Sequence, residues 1–221
     1  MVPVFGYWSV RGLGQVPRYL LAHAGAEYTE KLYHIGPAPG YSKSEWWDVK
    51  QDSGLEFPNL PYYIDGDIKI TESSAITKHL ARKFGLVGTT EEENIIVDMA
   101  EGILSDISRA FKQLCFDSDF ERKKVAYIDE IDIPLTKLSK LVGSSSYIVD
   151  EKITWVDFEL FELLERILAL APDCLEMYAN LQAFHKRVRE LPNIKAYRAS
   201  EDFIKIKKLF NGPVAKFGGG N

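Results

Sequence analysis

The order of apolar segments in the first part of the chain limits its fold more than any other feature. Val4 to Trp8 has the pattern of a buried strand, Gln15 to Ala24 that of an amphipathic helix, and Tyr28 to Ile35 that of a second strand. Two strands joined through a helix need a crossover connection, which makes the pair parallel. This order predicts an α/β unit.

A hairpin completes the predicted sheet. Strands are expected at Tyr62 to Ile64 and Ile68 to Ile70, on either side of the turn signal Asp65-Gly66-Asp67. Helices are expected at Ser44 to Lys50 and Ser73 to Phe84. Because a hairpin pairs its strands antiparallel, the small four-stranded sheet should be mixed.

The downstream sequence has a helical period instead. Thr90 with the glutamates that follow it is typical of a helix N-terminus. Apolar residues three or four apart then predict the buried face of a helix that extends to about Phe116: Ile96, Met99, Ile103, Ile107, Ala110 and Leu114. We therefore expect two domains, an α/β domain over 1–85 and an all-helical domain over 90–221.

Another helix start is strongly specified. Thr154 and Asp157 form a variant of the capping box directly in front of an apolar run. A box of this kind satisfies the first backbone N–H groups of a helix, which makes it a folding signal. Replacing Asp157 should therefore lower stability and leave turnover intact.

The composition argues against several function classes. The 221 residues include 27 Lys and Arg against 32 Asp and Glu, a net charge of −5, and the basic residues are dispersed, which argues against a nucleic-acid partner. No apolar run is long enough to span a bilayer. Cys115 and Cys174 fit no metal or redox spacing and the four histidines are scattered, so no metal site is expected. Without a leader-like segment before the first strand, we expect a cytoplasmic protein whose thiols are reduced.

Three places in the α/β unit favour ligand binding. Tyr7 falls at the carboxyl edge of the predicted sheet, where open α/β sheets bind ligands. Pro61 opens a strand, which is consistent with a cis bond after Leu60. Glu72 and Ser73 stand between a strand and a helix, where the helix amides and the Ser73 hydroxyl suit a carboxylate. Simple helix capping accounts for Ser73 equally well.

Five ordered segments carry a family resemblance. They are GYWSVRG from Gly6, IGPAPGYSKSEWWDVK from Ile35, FPNLPYYIDGD from Phe57, ITES from Ile70 and ITWVDF from Ile153. Over nearly its whole length the chain resembles a cytosolic glutathione S-transferase and is most similar to the Mu class. The resemblance implies a thioredoxin-like N-terminal domain with a mixed four-stranded sheet, an all-helical C-terminal domain, and a homodimer with one active site per subunit.

The resemblance also implies an activity, the transfer of the glutathione thiolate to hydrophobic or activated electrophiles in detoxification. Tyr7 would be the catalytic hydroxyl that donates a hydrogen bond to the glutathione sulfur. Glutathione would be a co-substrate, and no other cofactor or metal is implied. The remaining alternative is a protein of the same fold that binds glutathione or hydrophobic ligands with little turnover, although such a protein has no need of Tyr7.

The implied site residues fall into three sets. Glutathione would contact Tyr7, Trp8, Leu13, Lys43, Trp46, Lys50, Asn59, Leu60, Pro61, Glu72, Ser73 and, from the neighbouring subunit, Asp106. The electrophile pocket would draw on Trp8, Val10, Leu13, Arg109, Lys112, Phe116 and Phe210. The dimer interface would include Phe57, Lys78 and Arg82, with an ordinary core phenylalanine as the alternative for Phe57.

Several positions depart from the Mu-class pattern. Lys43 replaces an arginine, which removes a bidentate fork but keeps the charge. Glu72 replaces a glutamine, and Phe116 replaces a tyrosine that assists some electrophiles. Arg109 and Lys112 stand where the family usually has apolar residues. We therefore expect a preference for anionic or polar electrophiles.

Overall fold

The structure, a computed structural model, describes residues 1–210, 212 and 215–216, which form two compact units. The first unit contains Met1–Phe84 and the described residues from Asn193 onward, and the second is Gly85–Pro192. The helices are, in chain order, α1 (Gln15–His23), α2 (Ser44–Trp47), α3 (Ser73–Lys83), α4 (Glu91–Cys115), α5 (Phe120–Asp129), α6 (Asp132–Val142), α7 (Trp155–Leu170), α8 (Ala179–Arg189), α9 (Pro192–Ala199) and α10 (Glu201–Lys205).

The first unit is built on a four-stranded sheet. Its strands are β1 (Val4–Trp8), β2 (Thr29–Tyr33), β3 (Tyr62–Asp65) and β4 (Ile68–Thr71), in the spatial order β2-β1-β3-β4. β1 pairs parallel with β2 and antiparallel with β3, and β3 and β4 form the hairpin around Gly66. The predicted mixed sheet is confirmed, and its elements begin and end within a few residues of the predicted positions.

Helices α1 and α3 pack against each other beside this sheet. Their apolar faces and the central strands supply a core that is fully excluded from solvent and includes Phe5, Leu20, Tyr63, Ile76 and Leu80. Because β1 lies in the middle of the sheet, its backbone is held by hydrogen bonds from both sides. The end of β1 is therefore a rigid place from which to present a side chain.

The second unit is helical. Thr90 caps α4 through a hydrogen bond that its side chain accepts from the Glu93 N–H, as predicted. Helix α7 is the most deeply buried element, and it packs against α4 and α8, while α6 packs against α8. Among the described residues, no helix combines the length and the apolar character that a membrane crossing needs.

The predicted buried face of α4 is correct only in part. Ile107 and Leu114 are buried as predicted, but Ile96 and Met99 are 41% and 63% exposed on the single chain. The residues that α4 buries are Val97, Ala100, Leu104, Ile107, Phe111, Leu114 and Cys115. Helix α4 carries apolar residues on two sides, and both sides have helical spacing. Periodicity alone therefore does not show which side packs against α7.

The segment from Asn193 onward packs with the first unit, whereas the sequence placed it in a helical domain over 90–221. The Asn193 amide donates to the carbonyl of His23 at 3.0 Å, and Arg198 donates to the Tyr19 hydroxyl at 3.0 Å. The Arg11 N–H donates to the carbonyl of Lys208 at 2.8 Å. These bonds tie the end of the described chain to α1 and to the turn before it.

Asp157 occupies the capping position that the sequence predicted. Its carboxylate accepts hydrogen bonds from the Thr154 N–H at 2.7 Å, the Thr154 hydroxyl at 3.0 Å and the Ile148 N–H at 2.9 Å. The side chain is fully buried. Burial raises the pKa of Asp157 to about 6, although these hydrogen bonds act in the opposite direction.

Asp157→Asn should destabilise the protein by about 3 kcal/mol, because buried N–H donors lose an acceptor. Since the folded pKa of Asp157 lies above its value of 3.8 in the unfolded chain, its stabilisation is fullest below about pH 4 and falls as the pH rises through 6. Chemical denaturation of both proteins at pH 4 and 7 measures the difference. If the parent's excess in free energy of unfolding over the variant grew from pH 4 to pH 7, the account would be contradicted.

Candidate active site

Tyr7 lies on β1 close to its carboxyl end, and its side chain is only 6% exposed. The Leu13 N–H, from the short 3-10 turn Gly12–Gly14, donates to the Tyr7 hydroxyl oxygen at 3.0 Å. In this bond the hydroxyl is the acceptor, so the bond does not use the hydroxyl hydrogen. An N–H aimed at the oxygen also strengthens that hydroxyl as a donor. The arrangement suits stabilisation of an anion that forms beside Tyr7.

Glycines allow the chain to fold this closely around the tyrosine. Gly12 has a φ of 38°, in the left-handed region, and a Cβ at this position would lie 2.7 Å from the Tyr7 hydroxyl oxygen. A Cβ on Gly6 would lie 2.2 Å from the ring of Tyr62. The close packing on both sides of β1 therefore requires glycine.

Four aromatic side chains form a cluster beside β1: Trp8, Tyr33, Trp46 and Tyr62. The hydroxyls of Tyr33 and Tyr62 lie 3.1 Å apart and are hydrogen-bonded. The Trp46 ring stacks on Tyr62 and meets Tyr33 edge-on, at centroid distances of 6.1 and 5.3 Å. Burial, followed by the bond to Tyr33, raises the pKa of Tyr62 well above its ordinary value, so Tyr62 stays neutral. The cluster fixes the indole of Trp46, which α2 supplies.

A polar turn joins the end of β4 to the start of α3. The Asn59 amide donates to the Glu72 carboxylate at 3.0 Å, and the Leu60 N–H donates to the Asn59 side-chain oxygen at 2.9 Å. The bond between Leu60 and Pro61 is cis, as the sequence indicated. Glu72 has a φ of 69°, which is strained for a residue with a side chain.

This turn contains one group that favours an anion and another that favours a cation. Ser73 is the first residue of α3, where backbone N–H groups and the helix dipole favour an anion. The carboxylate of Glu72, held by Asn59, favours a cation. An amino acid carries both charges on one carbon, so its ammonium and carboxylate match this pair of groups.

The two predicted lysines flank the short helix α2. Lys43 precedes the helix and is exposed. Lys50 follows it, and its ammonium lies 4.7 Å from the ring centroid of Trp47. Of the two tryptophans in α2, Trp46 is buried and Trp47 is 57% exposed. The lysines thus place positive charge at both ends of the helix that carries Trp46.

The remaining predicted residues of the first unit differ in exposure. Val10 and Phe210 are buried, and Leu13 is 48% exposed. Phe57 is 70% exposed on the single chain, so the alternative that it is an ordinary core residue is wrong. Arg82 is exposed and Lys78 is half-buried on α3.

Four predicted residues belong to the second unit and follow one another along α4 at intervals of three or four: Asp106, Arg109, Lys112 and Phe116. The Asp106 carboxylate lies 3.3 Å from the Arg109 guanidinium, and both side chains are well exposed. Phe116, which follows the last residue of α4, is 37% exposed. The spacing places these side chains along one side of the helix.

The sequence reasoning missed the residues behind Tyr7. Arg18 is completely buried and paired with Glu30, and Tyr33 and Tyr62 support Trp46. One signal was present for Arg18, because a charged residue within the apolar face of a helix needs a buried partner. The partner itself lies on another element, so the sequence does not identify it.

Two family descriptions match the chain. Residues 3–82 match the family described as "Glutathione S-transferase, N-terminal domain", and residues 105–201 match "Glutathione S-transferase, C-terminal domain". The first range contains β1 to β4, Tyr7 and the polar turn at Glu72, and the second contains the last part of α4 and all of α5 to α9.

Individual proteins agree with this assignment. The chain is 43% identical to "Glutathione S-transferase 2" of Gallus gallus, over 93% of each chain. It is 42% identical to "Glutathione S-transferase Mu 4" of Mus musculus, over 93% of this chain and 94% of the other. It is also similar to the solved structure of an Onchocerca volvulus Pi-class glutathione S-transferase, with a TM-score of 0.84, 29% identity, and coverage of 98% of this chain and 100% of the other.

Gly12→Ala tests the close packing around Tyr7. The added Cβ meets the Tyr7 hydroxyl and the left-handed φ becomes unfavourable, so we expect a stability loss of about 1–3 kcal/mol and altered near-ultraviolet circular dichroism. Gly102→Ala is the control, because a Cβ there meets nothing within 4 Å and lies inside a helix. The control should gain up to about 1 kcal/mol. Equal effects of the two changes would count against the packing argument.

Proposed function

Because the chain belongs to the glutathione S-transferase family and has Mu-class relatives, we propose that it transfers the glutathione thiolate to hydrophobic or activated electrophiles. One observation carries the mechanism: the buried Tyr7 hydroxyl accepts a hydrogen bond from the Leu13 N–H at the carboxyl end of β1. The hydroxyl is thereby oriented to donate to a sulfur atom and to favour its anionic form.

The free energy needed to make the thiolate the main form of glutathione is modest. A free thiol has a pKa of about 8.5, so only a few per cent of it is ionised at pH 7. Lowering that pKa by about two units takes about 2.7 kcal/mol and makes the thiolate the main form. A charge-assisted hydrogen bond in a buried site contributes about 1.5–3 kcal/mol, so Tyr7 accounts for most of this requirement.

The first unit offers groups for each part of the tripeptide. Trp46, with Lys43 and Lys50 on either side of α2, suits the glycyl carboxylate. Asn59 and the backbone of Leu60 suit the cysteinyl peptide groups. Glu72 and Ser73 suit the ammonium and the carboxylate of the γ-glutamyl end. The bond from Asn59 holds the Glu72 carboxylate in place, so this residue acts as a charged partner for the ammonium where a glutamine would offer only a dipole.

The assembly is proposed as a cytoplasmic homodimer that acts in detoxification and needs no cofactor beyond glutathione as co-substrate. The exposed Phe57 is consistent with a dimer, because burial of its ring against a partner removes apolar area from water. In such a dimer Asp106 meets the ligand ammonium of the neighbouring subunit.

The net charge of −5 gives no support to a nucleic-acid partner. A role in ligand binding with little turnover is less well supported, because a binding protein does not require the Tyr7 hydroxyl.

Tyr7→Phe should reduce the initial rate of glutathione conjugation to a chlorinated dinitrobenzene by about tenfold to a thousandfold, which corresponds to roughly 1.4 to 4 kcal/mol. The ring remains, so binding to a glutathione resin should be retained. Tyr147→Phe is the matched control, since Tyr147 lies on the second unit and its ring contacts Arg187. If the parent binds the resin but shows no rate, the binding role replaces the transferase.

Arg109 and Lys112 should direct substrate choice. In the variant Arg109→Met with Lys112→Ile, the ratio of kcat/KM for an anionic electrophile to that for a neutral one should fall by about tenfold, because two positive charges are lost. The pair Arg122→Met with Lys124→Ile removes the same charge from α5, and Arg122 pairs with Asp119 as Arg109 pairs with Asp106. An unchanged ratio in the first variant, or an equal fall in both, would refute the assignment.

A further inference from the structure

Arg18 is a buried cation close behind Tyr7. It lies on α1, is completely excluded from solvent, and places its Nε 2.5 Å from the Glu30 carboxylate on β2. Glu30 is itself largely buried, with 16% of its side chain exposed. A buried ion pair is weak evidence for stability, because the loss of solvation offsets most of the attraction. The position of the pair therefore needs another explanation.

The rest of the Arg18 guanidinium holds the backbone that leaves β1. Nη1 donates to the carbonyl of Val10 at 2.7 Å and lies 3.5 Å from the carbonyl of Arg11. Nη2 donates to the carbonyl of Trp8 at 3.3 Å. These carbonyls belong to the segment between Tyr7 and the turn whose Leu13 N–H contacts the Tyr7 hydroxyl. The Arg18 side chain thus holds both ends of the backbone segment that leads from Tyr7 to the turn contacting its hydroxyl.

The charge of Arg18 also acts on the tyrosine ring. Its Cζ lies 5.7 Å from the centroid of the Tyr7 ring, which is within the range of a cation–π contact. A Cβ on Gly14 would lie 2.6 Å from Tyr7 Cδ1 and 3.1 Å from Arg18 Nη1, so a glycine here leaves room for the ring and the guanidinium together. In a buried site such a charge is screened much less than in water.

We infer that Arg18 is a positioning residue for the transferase reaction. Arg18 holds the Trp8–Arg11 backbone and supplies positive potential behind Tyr7, and Glu30 limits that potential. The inference rests on the proposed function, in which Tyr7 donates to the glutathione sulfur. A positive potential at the tyrosine favours the thiolate over the thiol, because only the thiolate is charged. Removing the negative charge of Glu30 should therefore increase thiolate formation.

Other titratable groups face this pair. Tyr28 precedes β2, and burial, followed by the charge of Glu30, raises its pKa well above the ordinary value. Tyr197 and Asp202, from the later segment of the same unit, also raise the Tyr28 pKa, whereas Arg18 lowers it. Tyr28 therefore stays neutral over the working pH range, and the change in potential on substituting Glu30 comes from the carboxylate itself.

Glu30→Gln is the first test, because the amide oxygen still accepts from Arg18 while the charge is lost. The pKa of the bound glutathione thiol, measured by the ultraviolet absorbance of the thiolate, should fall by about half a unit to one unit. Loosening of the Tyr7 segment predicts the opposite, a rise in this pKa. Glu27→Gln is the control, since Glu27 is exposed on the same stretch of chain. It should leave the thiol pKa unchanged.

The double variant Arg18→Met with Glu30→Gln guards against loss of folding, because no charge is left buried without a partner. Here the carbonyls lose their donors and the positive potential disappears, so the thiol pKa should rise by about one unit and the rate at pH 6.5 should fall about fivefold. Thermal unfolding of each variant establishes that the measured protein is folded.

Two results would overturn the inference: a rise or no change of the thiol pKa in folded Glu30→Gln, or a double variant with the thiol pKa and rate of the parent. If the parent itself leaves the thiol pKa at the value of free glutathione, the proposed role of Tyr7 fails first, and this inference fails with it. The parent measurement alone thus separates the failure of the proposed function from the failure of the Arg18 assignment.

Discussion

The hydrogen bond from the Leu13 N–H to the Tyr7 hydroxyl is the contact on which the proposed active site depends. It requires a central strand that does not move, a turn that approaches the ring closely, and a residue without a side chain where the turn passes the hydroxyl. β1 meets the first requirement because it is paired on both sides, and Gly12 meets the third. Arg18 fixes the backbone between strand and turn.

Two of the groups proposed to bind glutathione, Trp46 and Glu72, are also held in place by neighbouring side chains. Tyr33 and Tyr62 fix Trp46 through ring contacts and a shared hydrogen bond. Asn59 holds the Glu72 carboxylate. Trp46 and Glu72 therefore lose little conformational freedom when the ligand arrives, which favours affinity. The same principle joins the binding groups to Tyr7, because all of them are positioned by the one small sheet and its helices.

Local signals made much of this fold predictable. Four predictions rest on short sequence patterns, and all four are confirmed. They are the parallel crossover between β1 and β2, the hairpin at Gly66, the helix cap at Thr90 and the capping carboxylate of Asp157. The buried face of α4 was predicted only in part, through Ile107 and Leu114, because that helix has two apolar sides. Arg18 and Glu30 were missed because their contact depends on how α1 packs beside β2. The family resemblance proposed the site residues, but the residues behind them became visible only in the structure.

The most direct test of the account is an ultraviolet titration of glutathione bound to the parent protein. If the hydroxyl of Tyr7 stabilises the thiolate as described, the bound thiol should ionise with a pKa near 6.5, about two units below that of a free thiol. Ionisation at the value of free glutathione, with the tripeptide demonstrably bound, would contradict the account. In that case Tyr7 would be a buried tyrosine with no part in activating the sulfur.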